Sequence, residues 1–316
     1  MKVYAGTSNP ELAKKVIHLL GYNYNGLDET LSSLKIEKFS DGEILPRFIE
    51  SVRGQDIIFI QTTDTSDAVM ETLLVVDAAK RAGVGSFTLV APFQGYSRQD
   101  KTDHLRSSIG AKMLADIFEK VGVNRLITID LHASTIQGFY DIPVIHLNGN
   151  KIFTKYIKSL KLDDMVICSP DQGAIKRNAD FAKAFPDATF ALINKKRVKP
   201  NEIHSMELMG DVTGKNVIIV DDMADTLGTL KKASDLLIEN GAKSVRAIAT
   251  HGVLSGKAFD NLEDSKLTEL IVSDTIKMNT SRPLPSRLKV ISCDELLATT
   301  IHQLQTRKSI HEINVV

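Results

Sequence analysis

The chain has 316 residues, with 39 basic and 39 acidic side chains and a formal net charge of zero. That balance argues against nucleic acid or an anionic membrane as the main partner. With 43% hydrophobic and 25% charged residues, the composition is that of a soluble globular protein of about two domains.

No apolar run is long enough to cross a bilayer, and MKVYAGTSNPELAKK at the N-terminus lacks the unbroken apolar stretch of a signal peptide. The two cysteines, Cys168 and Cys293, have no metal-binding spacing and fit a reducing, cytoplasmic setting as inert core thiols.

In chain order, strands are predicted at DIIFIQ (56–61), SFTLVAP (86–92), RLITIDLH (125–132), MVICSPD (165–171), NVIIVDD (216–222) and SVRAIATHG (244–252). Amphipathic stretches at 68–82, 109–121 and 229–240 predict helices between them. Continuous apolar strands separated by helices specify an α/β fold, with mainly parallel sheets flanked by helices. After a strand-like FALI, the basic stretch NKKRVKP (194–200) reads as a loop.

Residues 56–93 and 216–253 share a plan of strand, loop, helix and strand at an offset of 160 residues, which predicts two related domains. The second copy has Asp221 and Asp222 where the first has Gln61 and Thr62, and only the second has a loop with Gly228. Pro143 and Gly149 interrupt the periodic patterns in DIPVIHLNGN, so the seam is expected there, with domains at 1–146 and 147–316. The last residues are expected to pack on the first domain.

In open parallel sheets, ligands bind at the carboxyl ends of strands. The loop Asp225-Thr226-Leu227-Gly228-Thr229 opens a helix there and can hold a phosphate on backbone N–H groups. Two carboxylates beside a phosphate are poor electrostatics unless they serve another part of the same ligand. A sugar phosphate provides that division, with Asp221 and Asp222 accepting from ring hydroxyls. An N-cap and an ordinary turn would explain one aspartate but not the pair together with the loop.

VIIVDDMADTLGT resembles the fingerprint of phosphoribosyl-binding proteins. FSDGE (39–43), GYSRQD (95–100), IDLHASTIQGFYDIPVIHL (129–147), SPDQGAIKR (169–177), NKKR (194–197) and ATHGVLSG (249–256) extend the likeness nearly end to end. Together they resemble the ribose-phosphate diphosphokinase (phosphoribosyl pyrophosphate synthetase) family. The resemblance implies a phosphoribosyltransferase-like fold. It also implies magnesium-dependent transfer of the β,γ-diphosphoryl group of ATP to the anomeric hydroxyl of ribose 5-phosphate, releasing AMP.

Carried over motif by motif, the family implies that Asp221, Asp222, Asp225, Thr226, Leu227, Gly228 and Thr229 hold ribose 5-phosphate. Phe39, Asp41, Gly42, Glu43, Arg98 and Gln99 would bind ATP. Lys195 and Arg197 would be catalytic, Arg197 also meeting the sugar phosphate, and His132 and Asp171 would be metal positions. Read without the family, the basic triplet 195–197 is a surface turn, His132 a structural histidine and Phe39 equally a core residue. Magnesium itself prefers oxygen ligands.

The family also implies a homo-oligomer, a hexamer where a dimer or tetramer is the alternative, in the cytoplasm. Residues 101–108, KTDHLRSS, depart from the basic segment tied in the family to phosphate activation and ADP inhibition. Weakened regulation is the expectation. A phosphoribosyltransferase would need neither FSDGE nor the doubled architecture. A non-catalytic regulatory subunit would have lost catalytic residues that this chain retains.

Overall fold

The computed structural model describes residues 1–21, 34–102, 104–199, 202–279 and 281–310; for 176, 177, 195–199 and 202–205 it describes the backbone. The chain forms two compact units. One runs from Met1 to Asn148 and also takes in Thr275–Lys277 and the chain from Ser292 onward. The other comprises Gly149–Asp274 and Met278–Ile291.

In the first unit, β1 (Lys2–Ala5) and α1 (Pro10–Leu19) precede the pair β2 (Leu34–Lys38) and β3 (Ile44–Phe48). There follow β4 (Asp56–Ile60), α2 (Ser66–Arg81), β5 (Ser86–Ala91), α3 (Gly110–Val121), β6 (Arg125–Ile129) and β7 (Val144–Leu147). Helix α1 starts where Asn9 and Pro10 fall together: the Asn9 side chain caps Leu12 N–H, and Pro10 needs no partner at the first helical position.

In the second unit, α4 (Asn150–Ser159), β8 (Met165–Ser169) and α5 (Ile175–Ala182) precede β9 (Thr189–Lys199) and β10 (Glu202–Met209). Then come β11 (Asn216–Ala224), α6 (Gly228–Glu239), β12 (Ser244–Gly252), α7 (Ala258–Glu263), β13 (Glu269–Ser273) and β14 (Leu288–Ile291). The C-terminal helix α8 (Asp294–Gln305) packs against α1 in the first unit.

The first sheet has the order β1-β4-β5-β6-β7, all parallel. The second contains β8-β11-β12-β13-β14, again all parallel, with β9 and β10 added beside β8. In both units a two-stranded segment interrupts the chain between the first and second parallel strands. The repeat read from residues 56–93 and 216–253 is thus part of a shared topology, and the expected α/β class with two related domains is borne out.

Strand β11 shows why its apolar run has no polar alternation. Val217 and Ile219 enter one hydrophobic cluster, with Val245, Ala247 and Leu237, while Ile218 and Val220 enter another, with Phe153, Phe181 and Ile271. A parallel strand covered on both faces reads as continuous hydrophobicity. Both cysteines are buried, as expected of core thiols.

The structure corrects one expectation. Residues 194–199 are not a loop: they continue β9, which forms an antiparallel ribbon with β10, register shifts falling between Glu202, Ile203 and Ser205. The pairing of β8 with β9 ends at Ser169 and Leu192, whereas that of β9 with β10 runs on to Lys199. Apart from Val198 the sequence of 194–199 is polar, so it resembles a turn.

Candidate active site

At the carboxyl edge of the second sheet, β8 and β11 lie side by side. Asp221 and Asp222 are still in β11, with Asp221 opposite Ala249 of β12. Consecutive strand residues point to opposite faces, and burial follows: Asp222 is only 5% exposed, whereas Asp221 is half-buried. Asp221 Oδ1 accepts from the Asp222 N–H at 2.9 Å. Asp171, two residues beyond β8, caps a short 3-10 turn by accepting from Ala174 N–H at 3.2 Å. Next to it, Ser169 Oγ accepts from buried Asn178 Nδ2 at 2.7 Å.

The loop that follows β11 leads directly into α6. Leu227 stands at φ 62°, in the left-handed region, just before α6. Its side chain is 4% exposed and packs in the core with Ala224 and Leu230. A bulky residue rarely adopts this conformation, so burial of the side chain sets the turn. No side chain caps α6, leaving the positive end of a 12-residue helix available to an anion.

Gly228 adds a second clue. Among the described residues a Cβ placed there would meet only Thr226 Oγ1, at 4.0 Å, and the residue has no positive φ. The fold itself therefore does not require glycine at this position.

Lys195 and Arg197, the residues expected to be catalytic, fall on the β9–β10 ribbon. Lys195 lies three residues past Leu192 and Arg197 five, about 10 and 16 Å along an extended strand. Lys195 is paired with Met206 and Arg197 with Ile203 in the backbone register.

The remaining residues belong to the first unit. FSDGE forms the turn of the β2–β3 hairpin, where Phe39 N–H donates to Glu43 O and Gly42 N–H to Phe39 O, both at 2.9 Å. Asp41 Oδ1 accepts from Glu43 N–H at 3.0 Å, and Gly42 takes φ 96°, which glycine adopts without strain. Phe39 is 50% exposed, so the core reading is excluded.

Arg98 and Gln99 are exposed on the segment after β5, with Gln99 N–H donating to Tyr96 O and Gln99 O accepting from Ala111 N–H. This segment is pressed against the strand ends at Gly95, where a Cβ would fall 2.1 Å from Thr63 O. His132 is exposed beyond β6. Among the described residues no group of three or more His, Cys, Asp or Glu could hold a metal, and no helix is long and apolar enough to cross a membrane.

The second sheet thus ends in paired carboxylates beside a loop that opens a helix without a side-chain cap. Residues 1–122 match the N-terminal domain of ribose phosphate pyrophosphokinase, and residues 148–314 the phosphoribosyl synthetase-associated domain. A ribose-phosphate pyrophosphokinase of Porphyromonas gingivalis is 43% identical, the match covering 98% of this chain and 96% of the relative. One from Gloeobacter violaceus is 39% identical over 98% and 92% of the two chains. The crystal structure of phosphoribosylpyrophosphate synthetase from Mycobacterium smegmatis, 37% identical, superposes with a TM-score of 0.88 over 97% of this chain and 99% of that one.

The chain belongs to the ribose-phosphate pyrophosphokinase family and is an enzyme of that family. The match across both units sets aside the single-domain phosphoribosyltransferase reading.

Proposed function

We propose that this enzyme transfers the β,γ-diphosphoryl group of ATP to the anomeric hydroxyl of ribose 5-phosphate, forming phosphoribosyl pyrophosphate and AMP. The carrying observation is the loop after β11: an uncapped helix end, a buried Leu227 fixing the turn, and a glycine that the fold does not need. The 5-phosphate of the sugar sits on the backbone N–H groups of residues 226–229, above Gly228. Asp221 and Asp222 accept from the ring hydroxyls, with half-buried Asp221 the more accessible. Asp225 completes the rim.

The attacking hydroxyl loses its proton as the new bond to the β-phosphorus forms, and AMP leaves with the bridging oxygen. Such transfer is governed by positioning and by cations directed at developing charge. Lys195 and Arg197 supply those cations from the ribbon, Arg197 also meeting the sugar phosphate. Phe39 offers a fixed, exposed ring to the adenine. Asp41 and Glu43 accept from its polar edge, Gly42 allows the turn, and Arg98 and Gln99 contact the nucleotide.

The residues present fit magnesium carried in on the phosphates. With no three-ligand cage among the described residues, the protein contributes one or two ligands, as magnesium sites on nucleotides commonly do. Asp171 has the preferred oxygen donor, and His132 is the second position. When bound, the ion neutralises phosphate charge.

The reading also includes a cytoplasmic homo-oligomer, hexameric in its fullest form. In the altered 101–108 segment, Leu105 is 98% exposed where an anion site needs cations, and Asp103 lies outside the described residues. Weak phosphate regulation follows.

The test is an assay of AMP release from ATP and magnesium, with and without ribose 5-phosphate, a chelator and inorganic phosphate. AMP should require both the sugar phosphate and the metal, and inorganic phosphate should leave the rate little changed. ATP turnover independent of the sugar phosphate would overturn the reading.

A further inference from the structure

The motif ATHGVLSG has no role in the chemistry above, yet its residues touch the sugar-phosphate loop. Ser255 Oγ donates to Asp225 Oδ1 at 2.5 Å, and Asn261 Nδ2 donates to Thr226 O at 2.8 Å. Leu254, itself left-handed at φ 49°, donates its N–H to Ala224 O at 3.0 Å. Three successive residues, the last of β11 and the first two of the loop, are thus held from the chain after β12. We propose that Ser255 and Asn261 are positioning residues for ribose 5-phosphate, an inference that rests on the reading of residues 225–229 as its phosphate loop.

The geometry of the peptide unit gives the mechanism. The Thr226 carbonyl and the Leu227 N–H share one trans peptide plane and point in opposite directions. Asn261, by drawing the carbonyl to one side, aims the N–H to the other, as a phosphate cradle requires. Ser255 draws the Asp225 carboxylate oxygen toward itself. A carboxylate free to swing beside a phosphate would repel it, and a charge-assisted hydrogen bond restrains that motion.

The bracing helix is itself secured. Ala258, Phe259 and Leu262 of α7 are buried in the core. Arg282 lies over the Phe259 ring at 4.4 Å and pairs with Asp260 at 3.0 Å. Asn261 therefore acts from a fixed base.

The experiment compares Asn261→Asp, Ser255→Ala and Ser255→Thr with the wild-type enzyme, by steady-state kinetics, calorimetric binding of ribose 5-phosphate and thermal melting. Asn261→Asp keeps the shape but sets an acceptor against the Thr226 carbonyl. Loss of one such bond should raise the KM and Kd for ribose 5-phosphate about tenfold. The KM for ATP should stay within about twofold and the melting temperature should hardly move, since this bond lies outside the core. Ser255→Ala should weaken sugar-phosphate binding, and Ser255→Thr, which keeps the hydroxyl, should restore it.

Wild-type affinity in both Asn261→Asp and Ser255→Ala would overturn the proposal while leaving the parent reading intact. Equal rises in both KM values with a lowered melting temperature would also overturn it, by showing a general structural role. A wild-type enzyme that does not bind ribose 5-phosphate would overturn the parent reading and this one with it.

Discussion

Gln61 donates from Nε2 to Glu71 Oε1 at 2.8 Å, while its own Oε1 accepts from Ser8 N–H at 3.1 Å and from Ser8 Oγ at 2.7 Å. Glu71 also accepts from Thr7 N–H at 2.8 Å. The room for this comes from Gly6, where a Cβ would fall 2.2 Å from Gln61 Oε1. Gln61 stands in the first unit where Asp221 stands in the second, so the first unit's strand end is filled by its own side chains. Titration calorimetry should give one ribose 5-phosphate per chain. Gln61→Asp should create no second site; by setting a carboxylate against buried Glu71 it should destabilise the protein by about 3 kcal/mol, visible as a lowered melting temperature.

Gly228→Ala separates fold from function. The protein has space for the added methyl, so the melting temperature should be unchanged or raised, with about 0.4–1 kcal/mol gained from the unfolded state. A phosphate seated above Gly228 would meet that methyl, and the KM for ribose 5-phosphate should rise by more than about tenfold, equivalent to about 1.4 kcal/mol. Unaltered binding would place the phosphate elsewhere.

Phe39→Ala removes a ring that is half exposed and contributes little to the core. Stability should be nearly unaffected. If adenine stacks on the ring, the loss is about 1–3 kcal/mol, and the KM for ATP should rise about 5- to 150-fold with that for ribose 5-phosphate unchanged.

Lys195→Ala and Arg197→Ala should act on the chemical step. Loss of a preorganised charge that stabilises a transition state lowers kcat by about 10²–10³. Single-turnover AMP formation should show that drop in each variant, with smaller changes in ATP affinity. An undiminished rate in both would remove the ribbon from the reaction.

Burial pushes the Cys168 thiol up to about 12, so it stays protonated at neutral pH. Cys293 is also buried. An aromatic disulfide reagent should find neither thiol in the native enzyme at pH 8 and both after denaturation in guanidinium.

The parallel cores were legible because β4, β5, β6, β8, β11 and β12 bury both faces and carry their own composition. The loop that opens α6 was legible for a related reason: its small and hydroxyl-bearing residues follow one another directly after an apolar strand. The β9–β10 ribbon was hidden because residues 194–199 are polar apart from Val198 and so show no strand period. Ser255 and Asn261 were hidden for another reason. Their partners lie 30 and 35 residues earlier, and a single hydroxyl or amide carries no mark of such a bond. The contact of α8 with α1 is likewise long-range, so local periodicity reveals the helix but not its partner.

The left-handed turn at Leu227 also has a thermodynamic consequence. A side chain locked into the core keeps the loop in its strained conformation before any ligand arrives, so little backbone freedom remains to be lost on association. Calorimetry of ribose 5-phosphate binding should therefore show a small entropic penalty, and the free and liganded loops should differ little in amide exchange. Selection for a looser core around Leu230 and Ala233 would erode affinity without changing any residue that touches the sugar.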